Sequence, residues 1–320
     1  MNTMSFSCSD GKQLFVRIFD EVESPKAVLL LAHGMSEHSG RYVGFAEYLN
    51  GRGILVYAPD HRAHGQTEGE LHKIGKPGEG DLFAHSVRDL LELSRYLSEK
   101  YPGLPLFEMG HSYGSFLSQE YFTRQEGIRG LILCGSSYFA TGLNRLGGLV
   151  AGLTCAFKGK NAPAKLINKL SFQSYAKHFE NGCWLAQDPA VTEAYNADPF
   201  NTQVFSAGFY KYFFRHGTRL YARERRAGLP KDTPVLLIAG REDPVGQYGK
   251  GVERLADFYR RNGLEVTCKL YDGGRHEVLN ETFREKVWQD VKNFILGRAV
   301  RLSDAAQTGE PKAFGEETKS

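Results

Sequence analysis

Short apolar runs alternate with stretches of helical period along most of this 320-residue chain, and that alternation limits the available folds more than any other feature. The runs are Gln13 to Phe19, Ala27 to Ala32, Ile54 to Ala58, Leu104 to Met109, Gly130 to Cys134, Val235 to Ala239 and Glu265 to Tyr271. Each is short and bounded by turn residues, as buried strands are. Between them, Tyr42 to Leu49, Leu82 to Leu97, Phe116 to Phe122, Val252 to Tyr259 and Phe283 to Ile295 repeat apolar residues at helical spacing. The pattern predicts an α/β protein with a mostly parallel sheet flanked by helices. The first run follows a turn at Ser9-Asp10-Gly11 and is expected at an antiparallel edge.

The alternation stops between Cys134 and Pro234. A structureless loop of that length is uncommon, so the segment is expected to be a helical insertion. Leu143 to Phe157, Ala164 to Phe172 and Thr202 to Arg226 are its helical stretches. The predicted organisation is a core of residues 1–135 and 232–297, a helical cap of residues 136–231, and a disordered polar tail of residues 298–320.

Gly110-His111-Ser112-Tyr113-Gly114 follows one apolar run and precedes a helical stretch. In that context G-x-S-x-G reads as a serine on a tight strand-to-helix turn, the glycines leaving room for close helix–strand packing. A serine hydroxyl is a weak nucleophile until a base takes its proton and an acid orients the base. Asp243 follows the strand Val235 to Ala239, and His276 follows the strand Glu265 to Tyr271. The order Ser112, Asp243, His276 suits this architecture, and parallel strands deliver all three loops to one sheet edge. Glu242 is the rival carboxylate to Asp243, and Glu277 either tunes His276 or faces solvent.

Five segments then resemble the α/β-hydrolases, in particular the monoacylglycerol lipase and lysophospholipase branch of the serine hydrolases: LLLAHGMSEHSGRY from Leu29, YAPDHRAHGQTEG from Tyr57, GHSYGSF, GREDPVG and GGRHE. The resemblance covers roughly Leu14 to Leu296 and implies an α/β-hydrolase fold with a mobile cap over an acyl pocket. It implies Ser112 as nucleophile, His276 as base, Asp243 as orienting acid, and the backbone N–H groups of Met35 and Tyr113 as an oxyanion hole. His33, Gly34 and His111 are read as supporting residues of those loops. The sequence departs from the family at Tyr113, where Met is usual, and at Ser36, where Gly is frequent. The implied activity is hydrolysis of acyl esters of the monoacylglycerol or lysophospholipid type through an acyl-enzyme, with no cofactor.

Other readings stay open. The same machinery serves carboxylesterases, lactonases, aminopeptidases and acyltransferases, and an inactive triad would leave a ligand-binding module. His33, His38, His61 and His64 could suggest a metal, but they lack metallohydrolase spacing and are expected to brace the oxyanion loop together with Asp60. No nucleotide-binding glycine motif is present, and a net charge of +3 gives no footprint for nucleic acid. Five scattered cysteines without a C-x-x-C pair read as free thiols, and without a secretory signal the default location is cytoplasmic.

In the cap, Phe157, Phe172, Trp184, Phe205, Phe209 and Phe213 point to a sizeable apolar pocket. Leu143, Leu146, Leu149, Val150 and Leu153 form a stripe that would either dock on a membrane or micelle, or line the acyl channel or pack on the core; burial is the commoner fate of such stripes. Lys211, Arg215, Arg219 and Arg223 recur every four residues and read as a solvated helix face that could meet anionic headgroups.

Overall fold

The computed structural model describes residues 1–124, 127–179, 182–201 and 204–307, without the side chains of Phe172 and of residues 300–307. Eight strands form one sheet: β1 (Asn2–Ser7), β2 (Gln13–Phe19), β3 (Ala27–Ala32), β4 (Ile54–Pro59), β5 (Leu106–His111), β6 (Gly130–Cys134), β7 (Val235–Gly240) and β8 (Val266–Tyr271). Their order across the sheet is β1-β2-β4-β3-β5-β6-β7-β8. β2 is antiparallel to both β1 and β4, and every pair from β4 to β8 is parallel.

The helices in chain order are α1 (Val43–Asn50), α2 (Gly65–Glu68), α3 (Leu82–Lys100), α4 (Tyr113–Phe122), α5 (Gly142–Lys158), α6 (Lys165–Leu170), α7 (Phe172–Ala176), α8 (Pro189–Ala197), α9 (Ala207–Gly217), α10 (Arg223–Ala227), α11 (Lys250–Arg261) and α12 (Arg284–Gln307). The sheet separates two apolar cores. On β3, Val28 and Leu30 enter the core shared with α3 and α4, while Leu29 and Leu31 enter the one shared with α1 and α12. Side chains alternate across a strand, so a strand covered on both faces must be apolar throughout, as β3 is.

Three expectations need correction. The antiparallel edge is β1, and β2 lies inside it. β1 is polar, with only Met4 and Phe6 half-buried, and so carries no apolar run to mark it. The helix over the C-terminal stretch does not stop at Gly297 but continues to Gln307. One interior glycine costs a helix only about 1 kcal/mol relative to alanine, and Arg298 just beyond it pairs with Glu265. Residues 308–320, the rest of the predicted tail, lie outside the described residues. Lastly, Lys211 and Arg215 lie on α9, but that helix ends at Gly217, so Arg219 and Arg223 do not extend their face.

Between β6 and β7 the described residues hold α5 to α10 and a single isolated bridge, Pro163 with Ser206. α5 packs on α9 through Gly147 and Gly148, where an added Cβ would meet the Phe214 ring at 2.7 Å and its Cβ at 3.1 Å. The leucine face of α5 is therefore turned outward. Leu143, Leu146, Leu149 and Leu153 are 50–78% exposed, and of the stripe Val150 packs against the core. Among the described residues, no helix is long and apolar enough to cross a membrane.

Candidate active site

Ser112 sits between the end of β5 and the start of α4 with φ +51° and ψ −117°, a conformation that non-glycine residues rarely adopt. The neighbouring glycines explain how the turn fits. A Cβ at Gly110 would lie 2.5 Å from the Gly114 carbonyl oxygen, and one at Gly114 would lie 2.2 Å from that of Ala32. The helix begins at Tyr113, ahead of the apolar repeat that starts at Phe116, so the Tyr113 N–H is one of the initial amides without an intrahelical acceptor. Beneath the turn, buried Glu108 on β5 accepts a hydrogen bond from Ser118 on α4 at 2.6 Å. Burial pushes its carboxyl up to about 8, despite that hydrogen bond.

His276 brings its Nε2 to 2.9 Å from the Ser112 hydroxyl and its Nδ1 to 3.0 Å from Asp243 Oδ1. Burial disfavours the imidazolium, but the adjacent Asp243 charge and hydrogen bond outweigh it, and the ring titrates above its ordinary 6.5. Asp243 is fully buried, whereas Glu242 is exposed and lies 3.8 Å from the Arg275 guanidinium. Of the two candidate carboxylates, the structure brings Asp243 to the histidine. His111, one residue before the serine, lies with its ring centroid 4.9 Å from that of His276, and burial lowers it to about 3.

The loop after β3 carries Gly34 and Met35. The Gly34 amide donates to Glu37 Oε1 at 2.5 Å, and Tyr42 donates to the same oxygen at 2.6 Å. Arg41 joins Glu37 at 2.9 Å to Glu277 at 2.5 and 2.7 Å. Burial alone would push Glu277 up, yet Arg41 holds it at about 2; burial pushes Glu37 upward. Glu277 thus does not face solvent; it ties the His276 loop to the loop after β3. Ser36 has φ +61°, a conformation that glycine adopts without strain, and its hydroxyl donates to the Asn201 carbonyl in the segment after α8.

The histidine cluster serves these loops. His33 Nε2 accepts from the His61 amide at 2.9 Å, so its Nδ1 proton goes to the Gly34 carbonyl at 2.7 Å. His61 returns a bond from Nε2 to the His33 carbonyl at 3.1 Å. Burial holds all three of His33, His61 and His64 below their ordinary value. Asp60 accepts from the Ser39 and Gln66 amides, both at 2.8 Å. Among the described residues, no three His, Cys, Asp or Glu side chains are grouped to hold a metal ion.

A cavity of about 210 Å³ opens beside Ser112, lined by Met35, Tyr113, Phe139, Tyr175, Phe213 and Leu143 among others, none of them charged. The aromatics expected to line it divide. Phe213 does; Phe205 and Phe209 are buried near His64; Phe157 is 84% exposed; Trp184 lies against His276; the Phe172 side chain is outside the described residues. Leu143, Leu146 and Val150 join the cavity wall, while Leu149 and Leu153 do not.

An open, mostly parallel sheet with a serine, a histidine and an aspartate converging at the carboxyl ends of its strands defines an α/β-hydrolase. The family model described as serine aminopeptidase, S33 matches residues 23–283, and the chain belongs to that family. It is similar to the monoglyceride lipase of Homo sapiens, with 31% identity over 91% of each chain. It is also similar to the monoacylglycerol lipase of Mycolicibacterium smegmatis, 29% identical over 91% of this chain and 96% of that protein. Among solved structures, a thermostable carboxyl esterase from Bacillus coagulans superposes with a TM-score of 0.85 at 29% identity, covering 93% of this chain and 98% of that one.

Sequence reasoning assigned no function to Arg41 and read Trp184 only as a pocket aromatic. Arg41 and Glu277 are 236 residues apart, and no local pattern connects them.

Proposed function

We propose that this protein hydrolyses carboxylic esters joining an acyl chain to a small neutral alcohol, of the monoacylglycerol type. Ser112 attacks the ester carbonyl as His276 takes its proton, and Asp243 holds the imidazole tautomer. The Met35 and Tyr113 N–H groups receive the oxyanion. His276 returns the proton to the departing alcohol, then activates the water that releases the acid. The observation that carries this reading is the Ser112–His276–Asp243 hydrogen-bonded chain opening on an uncharged, largely apolar cavity.

The same cavity separates the ester reading from the aminopeptidase one that the family description raises. A free α-ammonium group needs a carboxylate near the serine, but no described lining residue is acidic, and Glu37 and Glu277 are engaged by Arg41. That engagement also leaves Arg41 poorly placed to hold the phosphate of a lysophospholipid. The exposed leucines of α5 and Phe157 support transient contact of the cap with a membrane or micelle. The inserted segment, residues 136–231, acts in this reading as the cap.

A fluorophosphonate probe with peptide mass analysis tests the chemistry. Stoichiometric labelling of the Ser112 peptide, lost in His276→Ala, is expected. Absence of labelling, with and without micelles, under conditions that label a control esterase would sink it. A panel of glycerol esters and lysophospholipids then reads the substrate class.

A further inference from the structure

The segment Cys183–Gln187, just before α8, is sewn along the loop that carries His276. The Leu185 carbonyl accepts from the Glu277 amide at 2.7 Å, and the Trp184 carbonyl from the His276 amide at 3.4 Å. Arg275 Nη1 donates to the Cys183 and Ala186 carbonyls at 2.5 and 3.1 Å. Gln187 donates from its side chain to the Gly273 carbonyl at 2.6 Å and from its amide to Glu281 at 3.1 Å. Glu281 in turn accepts from the Arg275 amide at 2.8 Å. The strap therefore grips the loop on both sides of His276, and it presents one side chain to the imidazole. The Trp184 indole stacks on that ring, centroids 5.1 Å apart and planes at 23°. Tyr175, which lines the cavity, lies against the same indole with centroids 5.5 Å apart and planes tilted at 56°.

We propose that Trp184 is a positioning residue for His276: its indole face fixes the imidazole in line with Ser112 and Asp243 and stabilises the imidazolium that forms during turnover. The physical basis is twofold. The two hydrogen bonds of His276 fix the ring's in-plane direction but not its tilt about the line joining Nδ1 and Nε2, and a stacked plane removes that freedom. A cation within about 6 Å of an indole centroid is also attracted by the ring quadrupole. The charged and titratable groups facing His276 are Asp243 after β7, His111 at the end of β5, its own neighbour Glu277, and the Glu37–Arg41 pair. None of these supplies a parallel aromatic face; His111 lies tilted at 47°. The inference rests on the esterase reading for its kinetic consequence but not for its geometry.

The test uses the chain's own fluorescence. Only Trp184 and Trp288 emit as tryptophans, so Trp288→Phe isolates Trp184. A protonated imidazole stacked on an indole quenches it. Emission is expected to fall as pH drops, with a midpoint above 6.5 matching the acid limb of kcat/KM, and the transition should vanish in His276→Ala. This readout holds whether or not any ester is cleaved, so failure of the substrate assignment and failure of the stack remain distinguishable. Trp184→Leu keeps an apolar cover but removes the aromatic face. It should lower kcat about tenfold with KM within about threefold, and move the acid limb down by about half a pH unit. Trp184→Phe should recover most of both. Trp184 emission that does not titrate with His276 would overturn the proposal, as would Trp184→Leu kinetics indistinguishable from the parent. If Trp184→Leu fails to fold, the fluorescence titration still decides.

Discussion

The sheet edge and the segment between β6 and β7 are specified in different ways. At the edge, Ser112 and Asp243 each follow a strand that is paired on both sides and buried throughout, whereas His276 follows the terminal strand β8 and is held by the bonds of its loop to Cys183–Gln187 and to Asp243. The position after β5 is over-determined, so even a serine held at φ +51° stays in place. The inserted segment consists mainly of short helices, among them the six-residue α6 and five-residue α7, and its longest, α5, turns most of its leucines to solvent. The serine, histidine and aspartate therefore lie at the ends of sheet strands, whereas much of the cavity wall comes from the helices of the insertion.

Ser112→Ala should reduce kcat about 10⁴-fold or more while leaving the thermal midpoint unchanged or raised, because the loss is confined to transition-state chemistry. Steady-state kinetics beside thermal unfolding read both; residual activity within tenfold of the parent would remove Ser112 from the mechanism. Arg41→Met should cost about 3–5 kcal/mol of stability, since it strands two buried carboxylates, and should also depress kcat by loosening the Gly34 loop. A variant as stable and active as the parent would show that the Glu37–Arg41–Glu277 bridge positions nothing. Leu30→Ala in β3 should cost about 2–5 kcal/mol, whereas Leu149→Ser on α5 should change stability by less than about 0.5 kcal/mol and instead weaken retention on lipid vesicles. Denaturant melts and vesicle sedimentation separate the two; equal costs would erase the contrast between the regions.

Glu108 makes the β5–α4 junction sensitive to pH. Its carboxyl is raised to about 8 in the fold, so folding favours the neutral form. Its contribution is complete below the ordinary carboxylate range and is lost as pH rises toward 8. Glu108→Gln has no proton to lose, and the decline of its melting temperature between pH 6 and pH 9 should be smaller by about 4 °C. Parallel melting curves for the two proteins would place the alkaline sensitivity elsewhere.

Most of the sheet was legible in the sequence because β3, β4, β6 and β7 are buried on both faces and must read as continuous apolar runs. β1 was invisible because an edge strand with one half-buried face needs no such run. The order of Ser112, Asp243 and His276 was legible because parallel topology turns chain order into spatial order. The Arg41 bridge and the Trp184 stack were not, because each joins segments far apart in sequence through side chains whose ordinary role is a solvated charge or a core aromatic. The apolar repeat from Phe116 did not mark the start of α4 at Tyr113, because the turn lets the helix begin directly after Ser112 without a side-chain cap.

β6 and β7 are hydrogen-bonded neighbours, yet roughly a hundred residues of chain separate them. The entropic cost of closing a loop grows only with the logarithm of its length, so doubling that excursion would cost the sheet about 0.6 kcal/mol. Lineages are therefore free to lengthen, shorten or replace the helices between these two strands with almost no effect on the scaffold. Cys183–Gln187 is the exception. An exchange that discards this strap leaves the sheet intact but unfastens the histidine loop, so inherited variation should be wide on either side of it and narrow within it.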